Sequence, residues 1–271
     1  MHPNHIKNKW ESGQATINGW LSIGNPFTAE IMSAQGYDSV TIDIQHGALD
    51  YSSALPMLQA MRASGVFPMA RVPWLDAAAI MKTLDAGAMG IICPMINNKE
   101  DAQEFVSYVK YPPIGQRSFG PTRAAVAMPG YGIQANEHVL ALAMIETPSG
   151  VENLEEIVAT EGVDGIYVGP ADLTLGTQEG RLPPGFDREE EVMIELIQRI
   201  VAVCKKYDKF ACLHCGTPEY AAKAVGWGFN MTTVSGDSRL LAAAASSTVS
   251  TWRGLMSEQV LETTTEQGGG Y

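Results

Sequence analysis

Long apolar runs are absent from this 271-residue chain. None approaches the ~20 residues that cross a bilayer, so the pattern excludes a transmembrane helix. The polar start, MHPNHIKNKWESGQ, lacks an apolar centre and is read as carrying no signal peptide. Basic residues are scarce too: 18 Lys and Arg face 30 Asp and Glu, a formal net charge of -12. Such a surface repels phosphate backbones and anionic lipid, so neither nucleic acid nor membrane is expected as a partner. Cysteine is limited to Cys93, Cys204, Cys212 and Cys215. On a strand, the two cysteines of CLHC face opposite sides about 10 Å apart at ~3.3 Å per residue, too far for a disulfide and wrong for joint chelation. Buried free thiols and a cytoplasmic location are expected. G-x-G-x-x-G is also missing, which disfavours a doubly wound dinucleotide fold, the main architectural alternative.

What is present is alternation. Eight short apolar runs, TINGWLSIG, SVTIDIQ, FPMARVP, GIICPM, LALAMIET, GIYVGP, KFACLHC and NMTTVSG, are each followed by a helical pattern. Eight strand–helix units in about 250 residues predict a (β/α)8 TIM barrel. The expected domain is 1–255, with 256–271 a mobile tail. Segment 111–136, rich in Pro, Gly and Arg, is expected to be an ordered functional loop, and His2 and His5 to lie in a disordered N-terminal tail.

A barrel keeps its chemistry at the C-terminal ends of its strands. Those ends carry Trp20, then Asp43, Gln45 and His46, then Arg71, Glu146 and Asp172, while the fourth strand offers little beyond Pro94. Glu146 and Asp172 follow neighbouring strands, and two carboxylates without Cys or His suit a hard divalent ion. The alternative is that Glu146 caps the next helix and Asp172 makes an Asx turn. Arg71 suits a carboxylate ligand through its planar fork, or else pairs with a structural acid such as Asp85. His46 is a candidate general base, or a structural residue. His214, in mid-strand, and His138 are read as structural. No lysine ends a strand, so a Schiff-base route has no obvious nucleophile.

The segments DIQHGALD, ARVPW, LDAGAMGIICPM, KYPPIGQRSFGPTRA, IETPSGVENLEEI and GVDGIYVGPADL together resemble the HpcH/HpaI aldolases, metal-dependent class II pyruvate aldolases. The resemblance runs from about Gly19 to Leu241. It implies a (β/α)8 barrel, a C-terminal helix exchanged between subunits, and a homo-oligomer, usually a hexamer. It implies Mg²⁺ or Mn²⁺, with Co²⁺ a further option, held by Glu146 and Asp172. Arg71 then steadies the enolate, His46 serves proton transfer, and Asp43 and Asp85 position this machinery. The turn at Ala171 and Asp172 meets the pyruvate carboxylate, and Trp20 walls the pocket. Gln45 stands where members often have Glu, and Met144 where they often have Gln.

The expected activity is therefore reversible cleavage of 4-hydroxy-2-oxo acids to pyruvate, or hydroxypyruvate, and an aldehyde through an enolate that the ion stabilises. The alternatives are an oxaloacetate decarboxylase or a macrophomate-synthase-like enzyme on the same site, and, more remotely, a non-catalytic sensor of 2-oxo acids.

Overall fold

The structure, a computed structural model, describes residues 4–266. A short helix, α1 (His5–Glu11), precedes β1 (Thr16–Leu21). Then follow α2 (Pro26–Ser33), β2 (Ser39–Asp43), α3 (Tyr51–Met61), β3 (Phe67–Arg71), α4 (Ala77–Asp85), β4 (Gly90–Cys93) and α5 (Lys99–Val109). Segment 111–136 supplies α6 (Thr122–Ala127) and most of α7 (Tyr131–His138), ahead of β5 (Leu140–Ile145), α8 (Pro148–Glu152) and α9 (Leu154–Val158). The chain closes with β6 (Gly165–Val168), α10 (Pro170–Thr177), α11 (Glu191–Lys206), β7 (Phe210–Cys215), α12 (Pro218–Trp227), β8 (Met231–Val234) and α13 (Asp237–Glu266). The strands pair in chain order into one closed parallel barrel, as the alternation predicts.

Strands β2, β4, β5 and β6 are buried on both faces, outward against helices and inward against the barrel core, which explains the short apolar runs. The inward face of β2 is the polar one. Ser39 and Thr41 donate to Asn18 Oδ1 at 2.8 and 3.1 Å, and the period of two then brings Asp43 to the same face. All four cysteines are free and buried.

Two terminal features differ from expectation. The N-terminal segment is not a loose tail from His5 onward: Ile6 and Trp10, four apart on α1, are buried, and the Trp10 indole donates to Thr16 Oγ1 at 2.8 Å. His5 packs edge-on against Phe67; His2 lies outside the described residues. At the other end α13 continues in helical form to Glu266, beyond residue 256 where a tail was expected. Residues 267–271 of that expected tail lie outside the described residues. Asp237 ties the start of α13 to the barrel by accepting from the backbone N–H groups of Ser22 and Ile23 at 2.8 and 3.1 Å. From Ser238 to Leu255 every residue is exposed, including Leu241, Trp252 and Leu255.

Trp10 rests on Phe210, ring centroids 4.8 Å apart, and ties α1 to the start of the first and seventh strands. Trp10→Ala is expected to cost about 3–5 kcal/mol, the range for deleting a buried indole. Urea unfolding followed by circular dichroism checks it; a loss below ~1 kcal/mol would mean that α1 is dispensable to the barrel.

Candidate active site

The register of β2 on β3 sets Asp43 beside Arg71. Arg71 Nε donates to Asp43 Oδ1 at 2.9 Å and Nη2 to Oδ2 at 2.7 Å, a two-pronged fork with both side chains buried. The Trp20 indole donates to Asp43 Oδ2 at 3.2 Å, and its ring faces the guanidinium at 4.9 Å. Asp43 Oδ1 also accepts from the backbone N–H groups of Gln45 and His46, each at 3.2 Å. Burial alone would raise the Asp43 carboxyl, but the Arg71 hydrogen bonds and charge, helped by His46 N–H and Trp20, hold it below the ordinary range. Asp43 is thus the fixed anion of the site. It holds the His46 backbone rather than its imidazole, which lines the cavity from an exposed position.

The expected alternative partner for Arg71, Asp85, is overturned by this geometry. Helix α4 runs back down the barrel, so its last residue stands at the end away from the strand C-termini. There Asp85 accepts from Arg117 Nη2 at 2.5 Å, and Arg117 reaches Tyr131 OH at 2.9 Å. Asp85 is absent from the lining of the cavity that holds Arg71 and His46. The expectation that it sits with the other site residues is corrected for this subunit.

Glu146 follows β5 and is 2% exposed. It does not cap the next helix; Thr147 does, accepting from Gly150 N–H at 3.0 Å. Glu146 Oε1 instead accepts from Met95 N–H at 2.9 Å. Asp172 lies in the first turn of α10, where no side chain caps the helix. The N–H groups of Ala171 and Asp172 therefore meet no capping side chain among the described residues, at the N-terminus of an eight-residue helix. Burial, aided by the Asp172 charge, pushes the Glu146 carboxyl up to about 7, while Met95 N–H and Arg71 act the other way. These two acidic groups stand close enough for the charge of one to raise the other, and neither is in an ion pair among the described residues. Gly169 leaves room for a cation: a Cβ there would stand 2.7 Å from Glu146 Oε2. Among the described residues no cluster of three or more His, Cys, Asp and Glu could hold a metal, so a bound ion would rely on this pair and on non-protein oxygens. That donor set fits a hard divalent cation.

Trp20, Asp43, His46, Arg71, Ala171 and Asp172 help to line a cavity of about 260 Å³; Glu146 is outside that lining, buried against Gly169, which is part of it. Gln45 is outside that lining, with a buried amide oxygen that has no partner among the described residues.

The HpcH/HpaI aldolase/citrate lyase profile matches residues 17–244. The chain belongs to that family. It is 36% identical over 253 residues to a hydroxypyruvate/pyruvate aldolase of Rhizorhabdus wittichii, covering 93% of this chain and 100% of that one. A 5-keto-4-deoxy-D-glucarate aldolase of Klebsiella pneumoniae is 31% identical, across 88% of this chain and 92% of its own. Among solved structures, an HpcH/HpaI aldolase/citrate lyase family protein of Burkholderia cenocepacia superimposes with a TM-score of 0.83 at 28% identity, covering 92% and 99% of the two chains.

In this family member, sequence reasoning missed two contributions. The turn after β4 supplies a backbone N–H, that of Met95, which no side-chain pattern reveals; Met95 has φ 58°. The wall formed by Phe186, His214 and Arg239 was missed because His214 was read as structural. The available signal was the alternation along β7, which puts Cys212 and His214 on one face.

The Glu146 shift gives a pH dependence with a definite sign. Between its ordinary value near 4.5 and about 7, the folded chain holds a proton that the unfolded chain has lost. Metal-free protein should therefore lose stability from this group as pH rises through that window. Glu146→Gln should remove that part of the slope in urea unfolding at stepped pH. An unchanged slope would show that the carboxyl is not raised.

Proposed function

We propose that this protein is a divalent-metal-dependent class II aldolase that cleaves 4-hydroxy-2-oxo acids to pyruvate, or hydroxypyruvate, and an aldehyde. The observation that carries the reading is the Asp43–Arg71 fork standing in one cavity with His46, Asp172 and the helix N-terminus at Ala171. The names of the relatives, hydroxypyruvate/pyruvate aldolase and 5-keto-4-deoxy-D-glucarate aldolase, support it.

Glu146 and Asp172 would hold the ion, Mg²⁺ or Mn²⁺ by their all-oxygen character, with Co²⁺ a workable substitute. When bound, it supplies Lewis acidity to the 2-oxo acid. The uncapped N–H groups of Ala171 and Asp172 receive the substrate carboxylate. Arg71 spends Nε and Nη2 on Asp43, which leaves Nη1 to meet the negative charge that develops on the C2 oxygen. His46 takes the proton of the 4-hydroxyl. The C3–C4 bond breaks, its electron pair enters the enolate, the aldehyde departs, and protonation at C3 gives the 2-oxo acid. Trp20 keeps Arg71 and Asp43 aligned from the opposite face.

The assembly we propose is a homo-oligomer, a hexamer as the family resemblance implies, in which α13 packs on a neighbouring subunit. The exposed Leu241, Trp252 and Leu255 support it, since an isolated helix gains little from apolar groups left in water. Light scattering should give a mass well above that of one chain; a stable active monomer would contradict it.

Chelation should abolish activity, and Mg²⁺ or Mn²⁺ should restore it. Borohydride with pyruvate should trap no adduct, and a covalent lysine adduct would defeat the class II reading.

The roles of His46 and Arg71 separate by reaction. His46→Ala should cut retro-aldol turnover ~10²–10⁴-fold, the usual worth of a general base, yet leave oxaloacetate decarboxylation within about tenfold, because loss of CO₂ needs no base. Arg71→Lys keeps charge but loses the fork, and should lower kcat/KM for both reactions by ~10²-fold. Equal loss of both activities in His46→Ala, at unchanged metal content, would show that His46 is not the base.

A further inference from the structure

The proposed chemistry uses the walls built by β2, β3, β5 and β6. It leaves the opposite wall, from β7 and β8, without a task. His214 is the polar group that β7 brings to it. Its ring stacks on Phe186 with centroids 4.6 Å apart and 25° between planes, and stands edge-on to Trp20 at 4.8 Å. Two aromatic contacts fix the plane of the imidazole, and a hydrogen bond fixes its rotation: Nδ1 lies 3.0 Å from Tyr167 OH.

That bond is the last link of a chain through the barrel interior. Ser39 and Thr41 both donate their hydroxyl protons to Asn18 Oδ1, which leaves the Asn18 amide to donate. Asn18 Nδ2 donates to Thr233 Oγ1 at 2.9 Å, and Thr233 Oγ1 lies 2.7 Å from Tyr167 OH. Each hydroxyl has one proton to give. Thr233 already accepts from Asn18, so its own proton goes to Tyr167, and the Tyr167 proton goes to His214 Nδ1. The reverse order would leave the buried Thr233 hydroxyl proton without an acceptor among the described residues, a desolvation cost that the present order avoids. Nδ1 is thereby an acceptor, and the ring proton sits on Nε2. No acceptor holds Nε2 among the described residues, although His214 lines the cavity. Burial first, then the charges of Arg71 and Arg239 against that of Asp43, hold the imidazole down to about 3, so it is neutral in use.

We propose that His214 is a specificity residue: a neutral Nε2–H donor, aimed by the Asn18–Thr233–Tyr167 relay, that binds an oxygen of the aldehyde partner and selects oxygen-bearing over apolar aldehydes. Arg239 adds a second donor to the same wall; it lies over the Phe186 ring at 4.9 Å and has no carboxylate partner among the described residues. Two N–H donors with no carboxylate beside them suit a hydroxyl or carbonyl oxygen. An apolar chain placed there would strip water from Nε2–H and return nothing. The identity of the ligand rests on the aldolase reading; the state of the ring does not.

The test has two parts. In ¹⁵N-histidine-labelled protein, with His214 assigned from the spectrum of His214→Leu, Nδ1 should give the unprotonated signal and Nε2 the N–H signal at neutral pH. A proton on Nδ1 overturns the proposal whatever the enzyme does. With pyruvate as donor, glycolaldehyde and propanal differ by one hydroxyl in place of one methyl. His214→Leu should lower the ratio of their kcat/KM values by about tenfold, the scale of one neutral hydrogen bond. Tyr167→Phe keeps the ring packing but removes the proton given to Nδ1; it should mix the tautomers and lower the same ratio. A ratio unmoved in both variants overturns the specificity role while the aldolase reading stands. Failure of the unaltered protein to add pyruvate to either aldehyde would defeat the aldolase reading, and the assigned ligand with it.

Discussion

The site depends on one ion pair. Asp43 is the acceptor on which Arg71, Trp20 and the backbone of residues 45 and 46 converge. A buried fork of this kind is weak as a source of stability, since each ion gives up its water to form it. Its worth is positional. With two of its nitrogens held, Arg71 stays beside Asp43, and its guanidinium lines the same cavity of about 260 Å³ as Asp172. A donor fixed beside the place where negative charge develops is what a reaction that builds up an enolate requires. Gly47 belongs to the same constraint: its N–H closes the turn on the Asp43 carbonyl at 3.1 Å, and a Cβ there would collide with that oxygen.

Most of this was legible in the sequence because the period of two is strict. Once Val40 and Ile42 are assigned to the helix side, Thr41 and Asp43 must face the barrel interior. The eight strands and the helices that return between them follow from the same alternation and from caps such as Asp50, Asp76 and Asn98, whose side chains each accept from the first turn of a helix. Placement of Arg71 and Glu146 at strand ends needed nothing more.

What stayed hidden has physical reasons. Asp85 was read by its neighbours in sequence, but a helix of nine residues carried it to the other end of the barrel. Helix α1 looked too polar to be ordered, because only Ile6 and Trp10 anchor it and two residues make a thin apolar stripe. The holder of Glu146 is a backbone N–H, and backbone groups leave no trace in residue type. His214 was discounted because a histidine between apolar neighbours is usually a satisfied core group; here only one of its two nitrogens is satisfied.

Met144, where the resemblance implies Gln, bears on the site without offering it a polar group. It stands two residues before Glu146 on β5 and so shares its face, and both press on Gly169, the residue that leads into α10. Gly169 has φ -99°, which any residue can adopt, so its glycine answers to crowding and not to backbone conformation. A thioether in place of an amide withdraws a hydrogen-bonding group from the vicinity of the carboxylate and lowers the local polarity. Burial is already the largest influence on Glu146, and the Met144 methyl, packed on Gly169 beside it, offers the carboxyl no donor. The carboxyl is thereby a poorer resting anion, one whose buried charge a cation held at the proposed site would compensate.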